Sequence, residues 1–401
     1  MNDLRKQRRI FGQKVVNRQS RRLRLSILIF DLYQKIQQYI GMGQCQMQNE
    51  RISIYCHTWN NETSDLFDYE SIDNQKQQFT IQHQDSYIIS KKETLELIHE
   101  IPKENSEVLL YITAQNSVVA GIQQQQGNST ALTNTKFPFK LKKNWLTVRS
   151  VNKYPLNVND IFRLGKMTFR ISSLSFNSQN ENELSSRSKA DSNEQCRICL
   201  GNTQSSNPLL NPCKCSGSLK YIHLECMKRW LKELTSASRS SEKSETYLWN
   251  LLKCEICQEP YKVIFQSDGV TYHMLDLLKP KFPYVMLEFY QKKKETQVKQ
   301  SNLGDRFTSK SDGVIVINLG EKMSLGRAKE NWVKLCEASV SRFHATLQVE
   351  KVQQQSSLFL YDNNSKFGTL VQIKEDLQIY QELEIQVGKS LFKLQTSNMA
   401  C

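Results

Sequence analysis

Eight side chains in the middle of the chain have the types and the spacing of metal ligands. Thiolates and imidazole nitrogens are the ligands that Zn²⁺ prefers, and eight of them make two tetrahedral sites with four ligands each. Because such sites are closed, their metal stabilises a fold and leaves no coordination position open for catalysis. The sequence therefore predicts two structural Zn²⁺ ions. The ligands form four close pairs: Cys196 with Cys199, Cys213 with Cys215, His223 with Cys226, and Cys254 with Cys257.

Cysteine usage also bears on the compartment. The chain has 11 cysteines, seven of which are predicted ligands, and such pair spacings indicate metal binding rather than disulfides. No stretch approaches the ~18 consecutive apolar residues of a membrane helix. The Arg-rich N-terminus also lacks the apolar segment and cleavage site of a secretory signal. These features predict a protein of the cytosol or nucleus without a membrane anchor.

The elements that position the ligands are predicted to be short turns and one helix. Close ligand pairs need tight turns that direct two side chains at one ion, and a helix is predicted directly after His223. A second helix is predicted at 25–40. Elsewhere, runs of β-branched and aromatic residues at 169–176 and 314–319 favour strands. The predicted fold class is mainly β with a small α+β zinc module.

The residues around the ligands resemble the RING-CH, or RING-variant, family. The motifs CRICL, NPLLNPCKCSGSLKYIH, LECMKRWL and CEIC carry the resemblance, within a domain predicted at 195–262. PHD fingers share the ligand order, but they carry an aromatic residue two positions before the seventh ligand, where this chain has Leu252. The family's cross-brace arrangement implies one zinc on Cys196, Cys199, His223 and Cys226 and the other on Cys213, Cys215, Cys254 and Cys257.

The resemblance also implies an activity. RING-type ubiquitin ligases form no covalent intermediate, and they hold a ubiquitin-charged conjugating enzyme in a reactive orientation. By the family pattern, Ile198, Trp230 and Pro260 contact that enzyme. Trp230 has a structural alternative, since it can simply pack the module's helix.

Two features depart from the family pattern. Many active RING domains have a basic residue after the last ligand, where this chain has Gln258, and this difference predicts weaker activity. Between Cys226 and Cys254 lie 27 residues, and their Ser-rich part at 236–245 is predicted to be a loop that is either a phosphorylation site or simply solvated.

Three motifs near the C-terminus resemble the forkhead-associated (FHA) family, which reads phosphothreonine. They are LGR at 325–327, SRFHA at 341–345 and DNNSKFGT at 362–369. The resemblance implies an FHA-type β-sandwich, predicted at 281–398. A phosphate dianion is best bound by a guanidinium, a hydroxyl group and backbone amides that converge from loops.

The FHA resemblance assigns a role to each loop residue. Arg327 and Ser341 are expected to contact phosphate, and Arg342 and Lys366 to line the peptide. His344 is expected to tie the loops together from inside. Phe367 stands where the family commonly has an Asn that hydrogen-bonds the peptide backbone, so affinity or sequence preference is expected to differ.

A weak internal repeat predicts a second, degenerate FHA-like β-sandwich at 50–175. Residues 385–394 resemble 162–171, with Gly388 facing Gly165, and residues 315–327 resemble 79–91. In the N-terminal copy Lys91 stands where Arg belongs. No Ser-x-x-His pattern and no Gly-Thr loop follow, so phosphate binding is expected to be lost there.

Polar and charged segments separate these units. The net charge is +14, and residues 1–24 form a basic arm that is able to bind nucleic acid, acidic membrane or an import receptor, or simply to be solvated. A linker is predicted at 176–194, a low-complexity insertion at 123–136 and an exposed loop at 291–311.

Three functions are compatible with these features. The first is a zinc-dependent ubiquitin ligase with two partners, a ubiquitin-conjugating enzyme and phosphothreonine-containing proteins. The second is a non-enzymatic zinc-binding scaffold that reads phosphopeptides, in which Gln258 marks lost activity. The third is association with nucleic acid through the basic arm.

Overall fold

The computed structural model describes the chain between residues 51 and 397, with gaps at 60–65, 73, 83, 92–93, 105, 121–138, 177–193, 203–205, 237–242, 250, 263, 268–269, 280–282, 292–310 and 380–381. The basic arm, the helix predicted at 25–40 and the low-complexity insertion lie outside the described residues. Most of the predicted linker and of the loop predicted at 291–311 lies outside them as well.

Strands dominate the described residues. The strands that precede the zinc module are β1 (Arg51–Trp59), β2 (Asn74–Ile81), β3 (Ser86–Lys91), β4 (Thr94–Ile98), β5 (Glu107–Ile112), β6 (Ser117–Val118), β7 (Lys140–Leu141), β8 (Trp145–Thr147), β9 (Tyr154–Leu156), β10 (Ile161–Leu164) and β11 (Met167–Ser175). A 3-10 turn at Val148–Val151 lies between β8 and β9.

The zinc module and its exit segment follow. Their elements are β12 (Leu209–Leu210), a 3-10 turn at Gly217–Leu219, β13 (Ile222–His223), helix α1 (Leu224–Ser236), β14 (Ser244–Leu248), β15 (Ile264–Ser267), β16 (Val270–His273) and helix α2 (Met274–Leu277). The chain ends with β17 (Tyr284–Gln291), β18 (Gly313–Asn318), β19 (Lys322–Gly326), β20 (Val333–Lys334), β21 (Ala345–Val352), β22 (Gln355–Asp362), β23 (Thr369–Gln372), β24 (Leu377–Gln378), β25 (Glu382–Val387) and β26 (Ser390–Ser397).

Two β-sandwiches share one long sheet. Its strand order is β14-β18-β17-β11-β10-β23-β8-β25-β26-β1-β2. In the C-terminal sandwich, strands β18 to β23 of this order pack against the sheet β20-β19-β21-β22-β9. In the N-terminal sandwich, strands β8 to β2 pack against the sheet β24-β6-β5-β3-β4, in which β7 pairs with β5. The mainly β fold class with its small zinc module is confirmed.

The two sandwiches exchange their last hairpins. Hairpin β10–β11 precedes the zinc module in sequence, yet it pairs with β17 and β23 in the C-terminal sandwich. Hairpin β25–β26 ends the described chain and pairs with β1 and β8 in the N-terminal sandwich. The sequence repeats at 50–175 and 281–398 therefore each contribute their final hairpin to the other sandwich.

The exchanged hairpins are structurally equivalent. Each turns at a glycine with a positive φ, 58° at Gly165 and 59° at Gly388, a conformation that is costly for residues with a Cβ. Phe169 and Phe392 occupy the same place in each hairpin, and both are fully buried. Because both hairpins have the same alternation of apolar residues, either one can complete a core of this kind.

Strands β17 and β18 are apolar on both faces, and the reason is that both faces are covered. Val285 and Ile315 point into the C-terminal sandwich. Their neighbours Met286 and Val316 point the other way, into a core shared with the zinc module. Side chains alternate along a strand, so a continuous apolar run requires a partner on each side.

The Ser-rich segment at 236–245 was predicted to be a loop, but both of its ends lie in regular elements. Ser236 ends helix α1, and Ser244 begins strand β14, which pairs with β18 at the edge of the long sheet. The loop prediction is therefore wrong at both ends of the segment, because hydrogen bonding to a sheet edge overrides polar composition.

Within the described residues, no helix is long and apolar enough to span a membrane.

Candidate functional site

The eight predicted zinc ligands converge into two sets of four. Within each set the ligand atoms all lie within 4.8 Å of one another; one set is Cys196, Cys199, His223 and Cys226 and the other is Cys213, Cys215, Cys254 and Cys257. A tetrahedral zinc with Zn–S of about 2.3 Å separates its sulfurs by about 3.8 Å. Cys215 Sγ and Cys254 Sγ are 3.7 Å apart, so this donor set fits the ion.

Two matching turns hold four of the eight ligands. Leu200 follows the first Cys-x-x-Cys pair and Gln258 follows the last one, with φ of 60° and 58°. In each turn the backbone N–H of that residue donates to the carbonyl of the pair's first cysteine, at 2.8 Å for Leu200 and 2.9 Å for Gln258. This tight turn brings two thiols to one side of the chain, as the close spacing predicted.

His223 is oriented by its second nitrogen. Its Nδ1 lies 3.2 Å from Cys199 Sγ and faces the ligand set, while Nε2 donates to the carbonyl of Asn202 at 2.9 Å. A carbonyl partner of this kind fixes the tautomer that coordinates a metal. The ring is buried, which holds it in this orientation.

Backbone donors and neighbouring thiols set the electrostatics of the two sets. Burial alone would raise the pKa of the Cys196 thiol, but backbone N–H groups, including those of Cys199 and His223, lower this pKa to about 7. Burial and the adjacent thiols raise the pKa of Cys215 and of Cys226 to about 12. Thiolates this close together repel one another, and a bound divalent cation would offset that repulsion. A zinc site requires this compensation, because its ligands must be deprotonated.

Arg197 links the two sets, a role that the sequence analysis missed. Its backbone lies in the first turn, yet its guanidinium donates to Cys213 Sγ and Cys254 Sγ, each at 3.5 Å. A third hydrogen bond, 2.8 Å long, runs to the carbonyl of Leu219. Four thiolates around one Zn²⁺ have a net charge of −2, and the arginine offsets part of that charge.

The residues expected to contact a conjugating enzyme lie on the surface of the zinc module. Ile198 is 46% exposed and Pro260 is exposed. Trp230 is half-buried on helix α1, and its Nε1 donates to the Tyr261 hydroxyl at 3.2 Å, so it also packs the module. Ile256 is 53% exposed between the last two ligands, and the sequence analysis did not select it.

At one end of the C-terminal sandwich, three loops meet beside His344, and they carry Arg327, Ser341 and Gly368. The backbone N–H of Ser341 donates to His344 Nδ1 at 3.0 Å, so Nε2 carries the hydrogen and donates to the carbonyl of Gly368 at 3.2 Å. Burial lowers the pKa of His344 to about 4, which keeps the ring neutral. The side chain thus ties the loops together from inside.

The same loops present cationic and hydroxyl groups. The backbone N–H of Arg327 donates to the carbonyl of Ser341 at 3.0 Å, and the N–H of Lys366 donates to Ser341 Oγ at 3.0 Å. The Ser341 hydroxyl hydrogen therefore stays available to an acceptor. Arg327 and Arg342 are exposed, and among the described residues neither has an ion-pair partner.

The sequence of the zinc module matches a known domain family. The profile of the RING-variant domain family matches residues 196–257, and that of the FHA domain family matches residues 323–391. Residues 196–257 are a RING-variant domain, and residues 323–391 lie in an FHA domain. The two resemblances are thereby confirmed, as is the fit of the two ligand sets to two zinc ions.

Several curated proteins are similar to part of this chain. E3 ubiquitin-protein ligase MARCHF7 of Rattus norvegicus is 46% identical over 65 residues, 16% of this chain and 8% of that protein. Probable E3 ubiquitin-protein ligase MARCHF10 of Homo sapiens is 36% identical over 112 residues, 27% of this chain and 11% of that protein. ERAD-associated E3 ubiquitin-protein ligase DOA10 of Saccharomyces cerevisiae is 38% identical over 81 residues, 20% of this chain and 6% of that protein.

A loop of the N-terminal sandwich packs against the FHA domain. The ring of Tyr69 approaches Gly368 so closely that an added Cβ would lie 2.7 Å from it. The same ring stacks under the Arg149 guanidinium at 4.0 Å, and Arg149 in turn pairs with Asp362 at 3.0 Å. The 362–368 loop is therefore supported by residues far from it in sequence.

The same contact region includes Phe367, at which the chain departs from the FHA pattern. Phe367 lies with its ring centre 6.3 Å from that of Trp59 on β1, so an aromatic residue here contacts the N-terminal sandwich. Lys366 Nζ lies 3.2 Å from Asp68 Oδ2 and 3.9 Å from Glu70 Oε2. In the N-terminal sandwich, Lys91 forms an ion pair with Glu96 at 3.1 Å.

Proposed function

We propose that this chain is a RING-type ubiquitin ligase whose FHA domain recruits phosphothreonine-containing partners. The observation that carries the proposal is the zinc turn at Ile198. It places an apolar side chain in solvent, and Arg197 joins that turn to the second zinc turn, where Ile256 is also exposed. An exposed apolar patch on a rigid support fits the docking of a partner protein.

The proposed reaction needs no nucleophile from this chain. The domain would bind a ubiquitin-charged conjugating enzyme and restrict the thioester to orientations that a lysine amine can attack. The two zinc ions would be held by the eight ligands and would stabilise the docking surface. The names of the similar proteins support this activity, while this chain spans between 6% and 11% of their lengths.

The phosphothreonine site is proposed at Arg327 and Ser341, with Arg342 and Lys366 beside the peptide. Two guanidinium groups that have no ion-pair partner within the part of the chain that the structure describes, and a hydroxyl group with an available hydrogen, match a phosphate dianion. Lys366 differs from the arginines because Asp68 and Glu70 already balance its charge. We therefore expect it to contribute less to phosphate affinity than Arg327.

The scaffold function is the second candidate, and Gln258 is the observation that favours it. Its side chain donates to the carbonyl of Glu255 at 2.7 Å, so it folds onto the zinc turn instead of extending from it. Discharge of ubiquitin from a panel of charged conjugating enzymes onto free lysine tests the two functions. Discharge that depends on the domain supports the ligase, and no discharge by protein containing two zinc ions supports the scaffold.

Truncating Ile198 is expected to reduce ubiquitin discharge. Ile198→Ala removes apolar area at the proposed docking surface. Truncating an interface hot spot costs about 1.4 kcal/mol or more of binding free energy, so we expect the affinity for the conjugating enzyme, and with it the rate of discharge, to fall at least ~10-fold. Ile264→Ala is the matched control, because Ile264 is 53% exposed outside the zinc turns. Equal discharge by Ile198→Ala and the wild type would remove the docking surface from the proposal.

Trp230→Ala is expected to lower both discharge and thermal stability, since Trp230 also packs the module.

Removing the Tyr69 ring is expected to weaken phosphopeptide binding. Tyr69→Ala deletes the ring that supports Gly368, and we expect the affinity to fall by about 3- to 10-fold, or about 0.7–1.4 kcal/mol. Tyr69→Phe keeps the ring and loses only the hydroxyl contact with Gln386, so it should bind like the wild type. Fluorescence polarisation with a phosphothreonine peptide measures both variants. Unchanged binding by Tyr69→Ala would show that the loop does not need this support.

We propose the cytosol or the nucleus as the compartment, because zinc-bound thiolates need a reducing environment. Nucleic-acid binding by the basic arm remains a prediction outside the described residues. Comparing salt-dependent binding with and without residues 1–24 tests it, and identical binding would remove this function.

A further inference from the structure

The zinc module is anchored to the C-terminal sandwich by the insertion between its sixth and seventh ligands. Strand β14 in this insertion pairs with β18 over five consecutive residues, from Ser244 opposite Ile317 to Leu248 opposite Gly313. It thereby occupies the edge of the long sheet. Backbone hydrogen bonds continue the contact at both ends, from Asn318 N to Lys243 O and from Trp249 N to Asp312 O, each 3.0 Å long.

Side chains reinforce this anchor. The indole Nε1 of Trp249 donates to Ser311 Oγ at 2.7 Å, and the Ser244 hydroxyl donates to the carbonyl of Trp332 at 3.1 Å. Trp249 and Tyr247 are both buried. We call β14 together with Trp249 the strap.

A shared apolar core lies beside the strap. Leu231 of helix α1 and Leu252 of the zinc module belong to the same buried cluster as Met286, Val314 and Val316 of the sandwich. Moving the module away from the sandwich would expose these side chains to water. The chain also connects the two units covalently at each end of β14 and again through helix α2 into β17. A unit with so many attachments has little freedom to rotate.

Resting on the proposed function, we propose that the strap fixes the ligase surface relative to the phosphothreonine site, so that ubiquitin is transferred to lysines at a restricted sequence distance from the phosphothreonine. A partner bound at Arg327 cannot bring every lysine to the conjugating enzyme when the two sites are held rigidly. The preferred substrate is then defined by its phosphothreonine and by the spacing of its acceptor lysine.

The first test measures rigidity without requiring activity. Donor and acceptor dyes are placed in the full chain through unnatural amino acids at two exposed positions, Glu255 in the RING-variant domain and Lys329 in the FHA domain. The wild type is expected to show one narrow distribution of transfer efficiency. Gly313→Val should broaden it, because a Cβ at Gly313 would lie 2.2 Å from the carbonyl oxygen of Tyr247 on β14. A broad distribution in the wild type would overturn the proposal.

The second test measures lysine selection. Peptides with one phosphothreonine and a single lysine at increasing spacing are ubiquitinated under single-turnover conditions. The wild type should show a preferred window, with rates at least ~10-fold lower outside it, and Gly313→Val should flatten this profile. A flat wild-type profile, or an unchanged profile in the variant, would contradict the role of the strap.

Two controls separate failure of this inference from failure of the proposed function. Discharge onto free lysine reports the ligase activity alone, and peptide affinity reports the FHA site alone; both should stay within about 2-fold of wild type in Gly313→Val. Because that substitution also approaches the Phe289 ring at 2.8 Å, Trp249→Phe serves as a second variant. It removes the hydrogen bond to Ser311 and keeps an aromatic ring, so it should broaden the distribution of dye-to-dye energy transfer less than Gly313→Val does. Ser311→Ala should give the same, smaller broadening.

Discussion

Substituting a single zinc ligand is expected to abolish ubiquitin transfer. In Cys213→Ser the second ligand set loses one of its four members, and structural zinc contributes about 10–16 kcal/mol to the folding of such small modules. The RING-variant domain should therefore lose its second ion and its docking surface together. We expect bound zinc to fall from two ions to one per chain and discharge onto lysine to fall by at least ~100-fold, measured by elemental analysis and by the discharge assay.

Cys336→Ser is the matched control, because Cys336 is an exposed thiol outside both ligand sets. It should keep two zinc ions and full activity. The FHA site of Cys213→Ser should still bind phosphopeptide, although its melting temperature should decrease because Val314 and Val316 lose their cover. Full discharge by protein that holds one zinc ion would show that the second site is dispensable.

Replacing Arg327 by alanine is expected to remove most phosphopeptide affinity. The side chain is exposed at the loop where Ser341 presents its hydroxyl group. Charge-assisted hydrogen bonds contribute about 1.5–3 kcal/mol each, which corresponds to a loss of about 10- to 150-fold. Titration of a phosphothreonine peptide by calorimetry measures the loss. Arg327→Lys keeps the charge without the bidentate geometry, so its peptide affinity should lie between those of the wild type and Arg327→Ala.

Lys329→Ala is the control for general electrostatics, since Lys329 is an exposed cation two residues further along the chain. Its effect should be small and should vanish at high salt. If Arg327→Ala and Lys329→Ala lost affinity equally, the phosphate would be attracted by overall charge and not by a defined pocket. Zinc-dependent discharge onto free lysine should be the same in all three variants, because the FHA loops lie outside the RING-variant domain.

Local chemistry made several features predictable. The eight zinc ligands are recognisable because one ion needs two side chains from the same tight turn, and this requirement limits their types and spacing. The helix after His223 was predicted and is observed as α1. The equivalence of Gly165 with Gly388 was also predictable, because each hairpin turn needs a residue that tolerates a positive φ.

Other parts of the site depend on contacts between residues that are distant in sequence. Arg197 was missed because its role is to reach Cys254, and Tyr69 was missed because it packs under the loop that ends at Gly368. Arg197 lies within the CRICL motif, but its contact with the second ligand set cannot be read from that motif, and Tyr69 lies in no motif. The strand β14 was missed because its first two residues, Ser244 and Glu245, continue the Ser-rich segment, and the contact that makes the segment a strand is with the free edge of β18.

The sequence by itself determined the metal ligands, the motifs of the FHA loops and the mainly β composition, since each follows from side-chain chemistry over a few neighbouring residues. Only the tertiary structure decided which sandwich receives each hairpin. Both hairpins have the same apolar alternation, so the sequence pattern does not distinguish them, and only the pairing of β10 with β23 and of β25 with β8 places them. Only the tertiary structure decided, too, that the zinc module covers the outer face of β17 and β18, because burial on two faces is a property of the assembled sheet.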